Sequence, residues 1–232
     1  MKKFNEILTE GLYDPGIFKA FFLAGGPASG KSFVTKSLFS GTGIKLVNSD
    51  NFFERALKKV GLSLNMPEEE AYFRDMIRTA AKQSAANQLD LYVKSRLGLV
   101  IDATGRDYDI IARQYAHLHA LGYDCYMIFV NTSLDVALQR QRGRERQVPE
   151  FILTKSWRGV QDNIGKFQRL FGMNNFLIVD NNKSEEELTT VVLAKAYRIV
   201  KRLMSAPVKS YIAKRWMAKE RKEKRRWLKK VS

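Results

Sequence analysis

The chain has 232 residues, 45% hydrophobic and 28% charged, which is enough for one α/β domain of ordinary size in the composition range of soluble globular proteins. No stretch approaches the roughly 18 uninterrupted apolar residues of a membrane span. Asn5, Glu6, Thr9 and Glu10 also break the N-terminal apolar pattern, so neither a span nor a secretory signal is expected. Of the net charge of +16, +11 lies in residues 201–232, where thirteen basic residues face only Glu220 and Glu223.

The lone Cys125 has no internal disulfide partner and sits among strand-like residues, as a small buried hydrophobe of a reducing compartment would. A cytoplasmic location is expected. His117 and His119 lie two apart on a helical pattern and so face different directions, which argues against a metal pair.

In chain order, residues 1–16 form a leader ahead of a core domain over residues 17–206. Five short apolar runs read as strands, at 18–24, 44–47, 97–101, 123–130 and 176–179. Each is nearly continuous in hydrophobicity, as strands buried on both faces of a parallel sheet are. Helix-length segments separate them. The pattern predicts an α/β fold with a doubly wound, mainly parallel five-stranded sheet and helices on both faces, followed by a basic C-terminal helical tail.

Directly after the first run stands Gly25-Gly26-Pro27-Ala28-Ser29-Gly30-Lys31-Ser32. The spacing Gly25-x-x-x-x-Gly30-Lys31-Ser32 fits a phosphate-binding Walker A loop, and its setting between a strand and a helix is the one such a loop requires. Successive main-chain amides would surround a phosphate, aided by the positive end of the following helix. Residues 25–32, with Phe33 behind them, are therefore the expected ATP contacts. Lys31 would reach the β- and γ-phosphates and Ser32 would ligate Mg²⁺.

The second strand ends in Val47-Asn48-Ser49-Asp50, which brings Asp50 to the same edge of the sheet. A carboxylate there can orient an acceptor hydroxyl and take its proton; the alternative is that Asp50, or Ser49, only caps the next helix. The third strand ends in Leu99-Val100-Ile101-Asp102, an apolar run closed by an acid, as in a Walker B element that assists Mg²⁺. Otherwise Asp102 caps the helix starting near residue 107.

Residues 51–96 form a helical insert where an acceptor would bind. Its long helix is expected from Pro67, a first-turn residue followed by Glu68, Glu69 and Glu70. Arg74 and Arg78, four apart, could bind an anionic acceptor or pair with Glu70 and Asp75. A lid is expected at 139–148. Arg140, Arg142, Arg144 and Arg146 fall there in two helical rows, so not all can face one site. Ser184-Glu185-Glu186-Glu187 reads as a capping box for a helix running to about Met204, and Pro207 marks the start of the tail at 207–232. There Tyr211, Trp216 and Trp227 interleave with Lys and Arg, a composition that suits single-stranded nucleic acid as well as a solvated basic face.

The run "LVIDATGRDYD" at 99–109, with its following helix and the strand at 122–133, resembles the zeta-toxin family of P-loop kinases. "VNSD" at 47–50 is similar to the strand-end acid those enzymes and the P-loop polynucleotide kinases use as catalytic base. "RERQVPEFI" at 144–152 is closer to the polynucleotide-kinase lid. The resemblance spans about residues 18–182. It implies transfer of the γ-phosphate of ATP to a hydroxyl, with Thr104 and Arg106 on the acceptor's side. The acid of the Thr-Gly-Arg element is Asp102, where zeta toxins usually have Glu, so a nucleotide-sugar acceptor stands behind a nucleic-acid or nucleotide-like one.

Two rival readings remain. Asp102-Ala103-Thr104-Gly105 and Asn182-Lys183-Ser184-Glu185 approximate GTPase elements, but the last position is Glu instead of Asp, and the 71-residue gap from Lys31 to Asp102 leaves room for an insert that a GTPase lacks. The basic tail also fits an ATP-responsive nucleic-acid-binding or structural protein without kinase activity. The first ten residues faintly resemble leaders of proteins packaged in tailed-phage heads, which would associate the chain with a virion. An amphipathic turn from Phe4, Ile7 and Leu8 explains them equally.

Overall fold

The structure is a computed structural model that describes residues 10–63, 67–143, 149–182 and 188–231. Its centre is one sheet of five parallel strands, β1 (Lys19–Ala24), β2 (Lys45–Val47), β3 (Leu99–Asp102), β4 (Asp124–Asn131) and β5 (Phe176–Asp180), in the order β2-β3-β1-β4-β5. All five coincide with the expected apolar runs to within two residues at either end. Parallel neighbours require crossovers, and the intervening segments supply them as helices.

The helices, in chain order among the described residues, are α1 (Lys31–Phe39), α2 (Ser49–Val60), α3 (Ala71–Lys94), α4 (Tyr108–Ala120), α5 (Leu134–Arg142), α6 (Glu150–Asp162), α7 (Ile164–Phe171), α8 (Ala194–Ser205) and α9 (Tyr211–Val231). Glu68–Glu70 form a 3₁₀ turn before α3, so the long helix starts later than Pro67 suggests. Leu188–Leu193 form a π-helical turn leading into α8. The Ser184–Glu187 capping box and Arg144 and Arg146 lie outside the described residues, as does most of the leader.

Strand β1 shows why its pattern is continuous. Ala20, Phe22 and Ala24 point into one core layer with Ile111 and Leu118 of α4 and Phe167 and Phe171 of α7. Phe21 and Leu23 point into the other, with Val34 and Leu38 of α1 and Val200 of α8. Successive side chains alternate faces, so a strand covered on both sides must be apolar at every position. Lys19 is the exception: fully buried, it forms an ion pair with Asp124 at 2.7 Å. Helices α2 and α3 pack through a separate small cluster of Phe53, Leu57 and Ala81. Burial pushes the Cys125 thiol up to about 12, which makes it an inert core residue.

The C-terminal tail is joined more closely to the core than its composition suggests. Ala213 is fully buried, and Trp216 meets the Phe18 ring edge-on at 5.5 Å. Lys209 N donates to the same Asp124 carboxylate that pairs with Lys19, at 3.3 Å. Of the three aromatics interleaved with the tail's cations, Trp216 is a packing residue. Replacing a buried tryptophan by alanine costs about 3–5 kcal/mol, and partial burial lowers that. Trp216→Ala should therefore lose about 2–3 kcal/mol in urea unfolding, whereas an undocked tail would leave the midpoint unchanged.

Candidate active site

The phosphate loop spans residues 25–30 between β1 and α1. Gly30 is left-handed, with φ of 84°, and a Cβ there would collide with Asn181 Nδ2. Both facts require glycine. A Cβ at Gly26 would come within 3.1 Å of the Trp157 ring. The loop is clamped from several sides. Gly25 N donates to Thr104 O at 3.1 Å. Ser29 O accepts from Thr132 Oγ1 at 3.2 Å and from Asn181 Nδ2 at 2.6 Å. Trp157 Nε1 donates to Thr132 O at 2.7 Å and roofs the loop. Ala28 packs beneath α5 and α6 with Ala137 and Leu153. Lys31 Nζ lies over the loop, donating to Gly25 O at 2.8 Å and Gly26 O at 3.4 Å. Ser32 and Phe33 open the exposed side of α1.

Two carboxylates come to this edge from neighbouring strands. Asn48 joins them: its Nδ2 donates to Asp102 Oδ2 at 2.7 Å, and its Oδ1 accepts from Asp50 N at 2.7 Å. Asn48 is thus the cap of α2, so neither Asp50 nor Ser49 does that work. Helix α4 starts from Asp107, which removes the capping alternative for Asp102 too. Asp102 Oδ1 is buried without a hydrogen-bond partner among the described residues. Its carboxyl is held above the usual carboxylate range, chiefly by burial; Lys31 opposes the shift and Asp50 adds to it. A carboxylate oxygen buried without a partner is one that an incoming cation or donor would satisfy. An oxygen donor of this kind suits a hard cation such as Mg²⁺, and Asp102, with the exposed Ser32 at the start of α1, would be the residues to hold it. Among the described residues no group of three His, Cys, Asp or Glu gathers as a self-sufficient metal site.

The arginines divide sharply. Arg78 of α3 pairs with Asp50 at 3.3 Å and stacks over the Phe53 ring at 4.0 Å, instead of joining Glu70 or Asp75. Arg74 stays with Asp75 at 3.6 Å. Arg140 lies beside the phosphate loop, donating to Asn181 O at 3.1 Å and Asn181 Oδ1 at 3.3 Å. Arg142 points outward, as two helical rows require. Arg106 is exposed next to Gly159 of α6. Thr104 is exposed, and its carbonyl is the loop's anchor. Asn182, first residue of the guanine-type run, spends its side chain on Ser133 N and on Asp180, which weighs against base reading there.

Asn48, Thr132, Trp157 and Asn181 were missed as site residues. Only Asn48 carried a signal, as a capping-type residue at a strand end; the others act from distant segments.

This combination of a parallel sheet, a clamped glycine loop and acids at adjacent strand ends defines the P-loop NTPase fold. Residues 21–166, well over half of the chain, match the family described as the AAA domain, and the chain belongs to that family. No curated protein matches it by sequence. Among solved structures it is similar to the AvrRxo1-ORF1:-ORF2 complex with ATP (TM-score 0.54, 13% identity, covering 89% of this chain and 73% of that one). It is also similar to a candidate kinase from Chloroflexus aurantiacus J-10-fl (TM-score 0.52, 16% identity, 80% and 98%). A third is from the PezAT toxin–antitoxin system of Streptococcus pneumoniae (TM-score 0.50, 15% identity, 97% and 96%). At these identities the likeness is one of fold.

Because the folded state binds the Asp102 proton more tightly than the unfolded chain, this group's contribution to stability is complete in acid and is lost as pH rises through its elevated value. Asp102→Asn, which cannot ionise, should match wild type near pH 4 and exceed it in urea midpoint at pH 7.5. A variant less stable than wild type at pH 7.5 would contradict the buried-anion account.

Proposed function

We propose that the chain is an ATP-dependent phosphotransferase that moves the γ-phosphate of ATP to a hydroxyl of a nucleotide-like or nucleic-acid acceptor. The observation that carries this reading is that Asn48 bonds both the Asp102 carboxylate and the main-chain N of Asp50, so two acids come from neighbouring strand ends to the edge that bears the Lys31 loop. A nucleotide hydrolase needs the metal acid; a second acid on an insert that can hold an acceptor is what transfer to a hydroxyl requires.

The roles follow from chemistry. Apart from Gly25, whose N–H goes to Thr104 O, and Pro27, which has none, the loop amides and those at the start of α1 bind the triphosphate. Lys31 turns from loop carbonyls to the β- and γ-oxygens. Ser32 and Asp102 would hold Mg²⁺, which would supply neutralising charge for those oxygens. Asp50 accepts the acceptor's hydroxyl proton as its oxygen bonds to the γ-phosphorus and the bond to the ADP oxygen breaks. Arg78, braced on Phe53, holds the Asp50 carboxylate and offers its remaining donors to an anionic acceptor. Arg140 sits where a guanidinium can meet transferring charge; Arg106 borders the acceptor side. Phe33 is assigned as a further ATP contact and Arg74 as a further acceptor contact; the lid role falls to Arg142, Arg144 and Arg146, the last two of which lie outside the described residues. The clamp on the loop limits reorganisation when the triphosphate arrives.

The test is transfer from γ-labelled ATP across oligonucleotides, nucleosides and nucleotide sugars. Asp50→Asn should retain ATP binding by calorimetry yet transfer about 10²–10⁴-fold more slowly. Undiminished transfer by that variant would remove Asp50 from the mechanism, and labelling of nucleotide sugars alone would reassign the acceptor.

A further inference from the structure

Helix α9 carries ten lysines and arginines and two glutamates over Tyr211–Val231. At about 100° per residue, Ala213, Trp216 and Met217, which pack on the core, share one side of it. Lys224, 4.2 Å from the centre of the Tyr13 ring, lies on that side too. Glu220 and Trp227 extend the same side. Nine of the ten cations fall on the other half of the circumference, and neither glutamate does. Glu223, at the boundary, pairs with Lys219 at 3.7 Å. Arg221, Lys222, Arg225, Arg226 and Lys229 line one shallow surface groove along this outward half.

The helix is anchored at the starts of β1 and β4, through Phe18 and Asp124. The phosphate loop leaves the opposite end of β1, about 20 Å away for a six-residue strand.

We infer that the outward half of α9 is a docking face for the phosphate backbone of duplex nucleic acid, set on the far edge of the sheet so that a bound duplex leaves the phosphate loop open. Its cations stand on a rod about 30 Å long and 10–12 Å wide, dimensions that suit a major groove about 12 Å across. Stacking on a single strand is not what this face offers, since Trp216 and Trp227 lie on the other half and only Tyr211, at the first position, faces outward. A membrane-surface helix needs a continuous apolar side, and on α9 that side is packed on the core at Ala213, Trp216 and Met217, which leaves only Trp227 and Leu228 exposed near the C-terminal end. Protein interfaces deplete charge at their centre, whereas nucleic-acid interfaces are strongly positive. The inference stands independently of phosphotransfer.

The full chain without ATP, titrated into a fluorescein-labelled 30-base-pair DNA duplex between 50 and 300 mM KCl, should bind with a log–log salt slope of about −4 or steeper. The combined Arg221→Gln, Lys222→Gln, Arg225→Gln and Arg226→Gln variant should bind at least about tenfold more weakly at 150 mM KCl, with a slope shallower by about three. The control pair Lys82→Gln and Lys94→Gln, exposed on α3, should change neither. The idea is overturned by absence of binding at 50 mM KCl, by a flat slope in the wild type, by unchanged binding of the fourfold variant, or by an equal loss in the control. Tighter binding of a single-stranded 30-mer or of phosphatidylserine vesicles than of the duplex would overturn it as well.

Discussion

The fastening of the phosphate loop is the constraint from which the rest of the molecule follows. Main-chain amides can surround a phosphate only if their carbonyls are committed elsewhere and the loop cannot relax. Here Ser29 O takes donors from two strand ends at once, Thr132 after β4 and Asn181 after β5, and Gly25 N is tied to the loop after β3. The sheet order makes this possible, because β1 lies between β3 and β4 and its loop emerges among all three. Trp157 closes the roof by bonding Thr132 while lying against Gly26, where any side chain would crowd it.

A second constraint opposes stability. Asp102 is a carboxylate held largely out of water with one oxygen unmatched, a state that lowers stability while the group is ionised. Asn48 moderates the cost by donating to the other oxygen and in the same side chain fixes the start of α2, hence the position of Asp50. One side-chain amide therefore ties the end of β3 to the start of α2. Arg78 completes the arrangement from α3, so the insert is wired to the edge of the sheet as well as packed against α2.

The basic side chains fall into two separate groups. The cations near the loop, Lys31, Arg78 and Arg140, each engage a specific carbonyl or carboxylate. Those of α9 form a repeated array on a helix whose other side is anchored by Ala213 and Trp216. The buried Lys19–Asp124 pair, extended to Lys209 N, ties the far edge of the sheet to that anchor.

The five strands, the alternation with helices and the phosphate loop were legible in the residues alone, because each depends on contiguous patterning: continuous apolarity for a strand covered twice, and glycine spacing for a tight turn. The placing of Asp50 and Asp102 at one edge of the sheet was also legible, since a strand's end lies there. What escaped depends on chain crossings. Asn48 meets Asp102 across 54 residues, and Ser29 meets Asn181 across 152. No local pattern encodes which amide will arrive there. The pairing of Arg78 with Asp50 and the docking of Trp216 on Phe18 are of the same kind. Composition establishes that such side chains are present; only the packed sheet decides which of them are spent on the fold and which remain for chemistry.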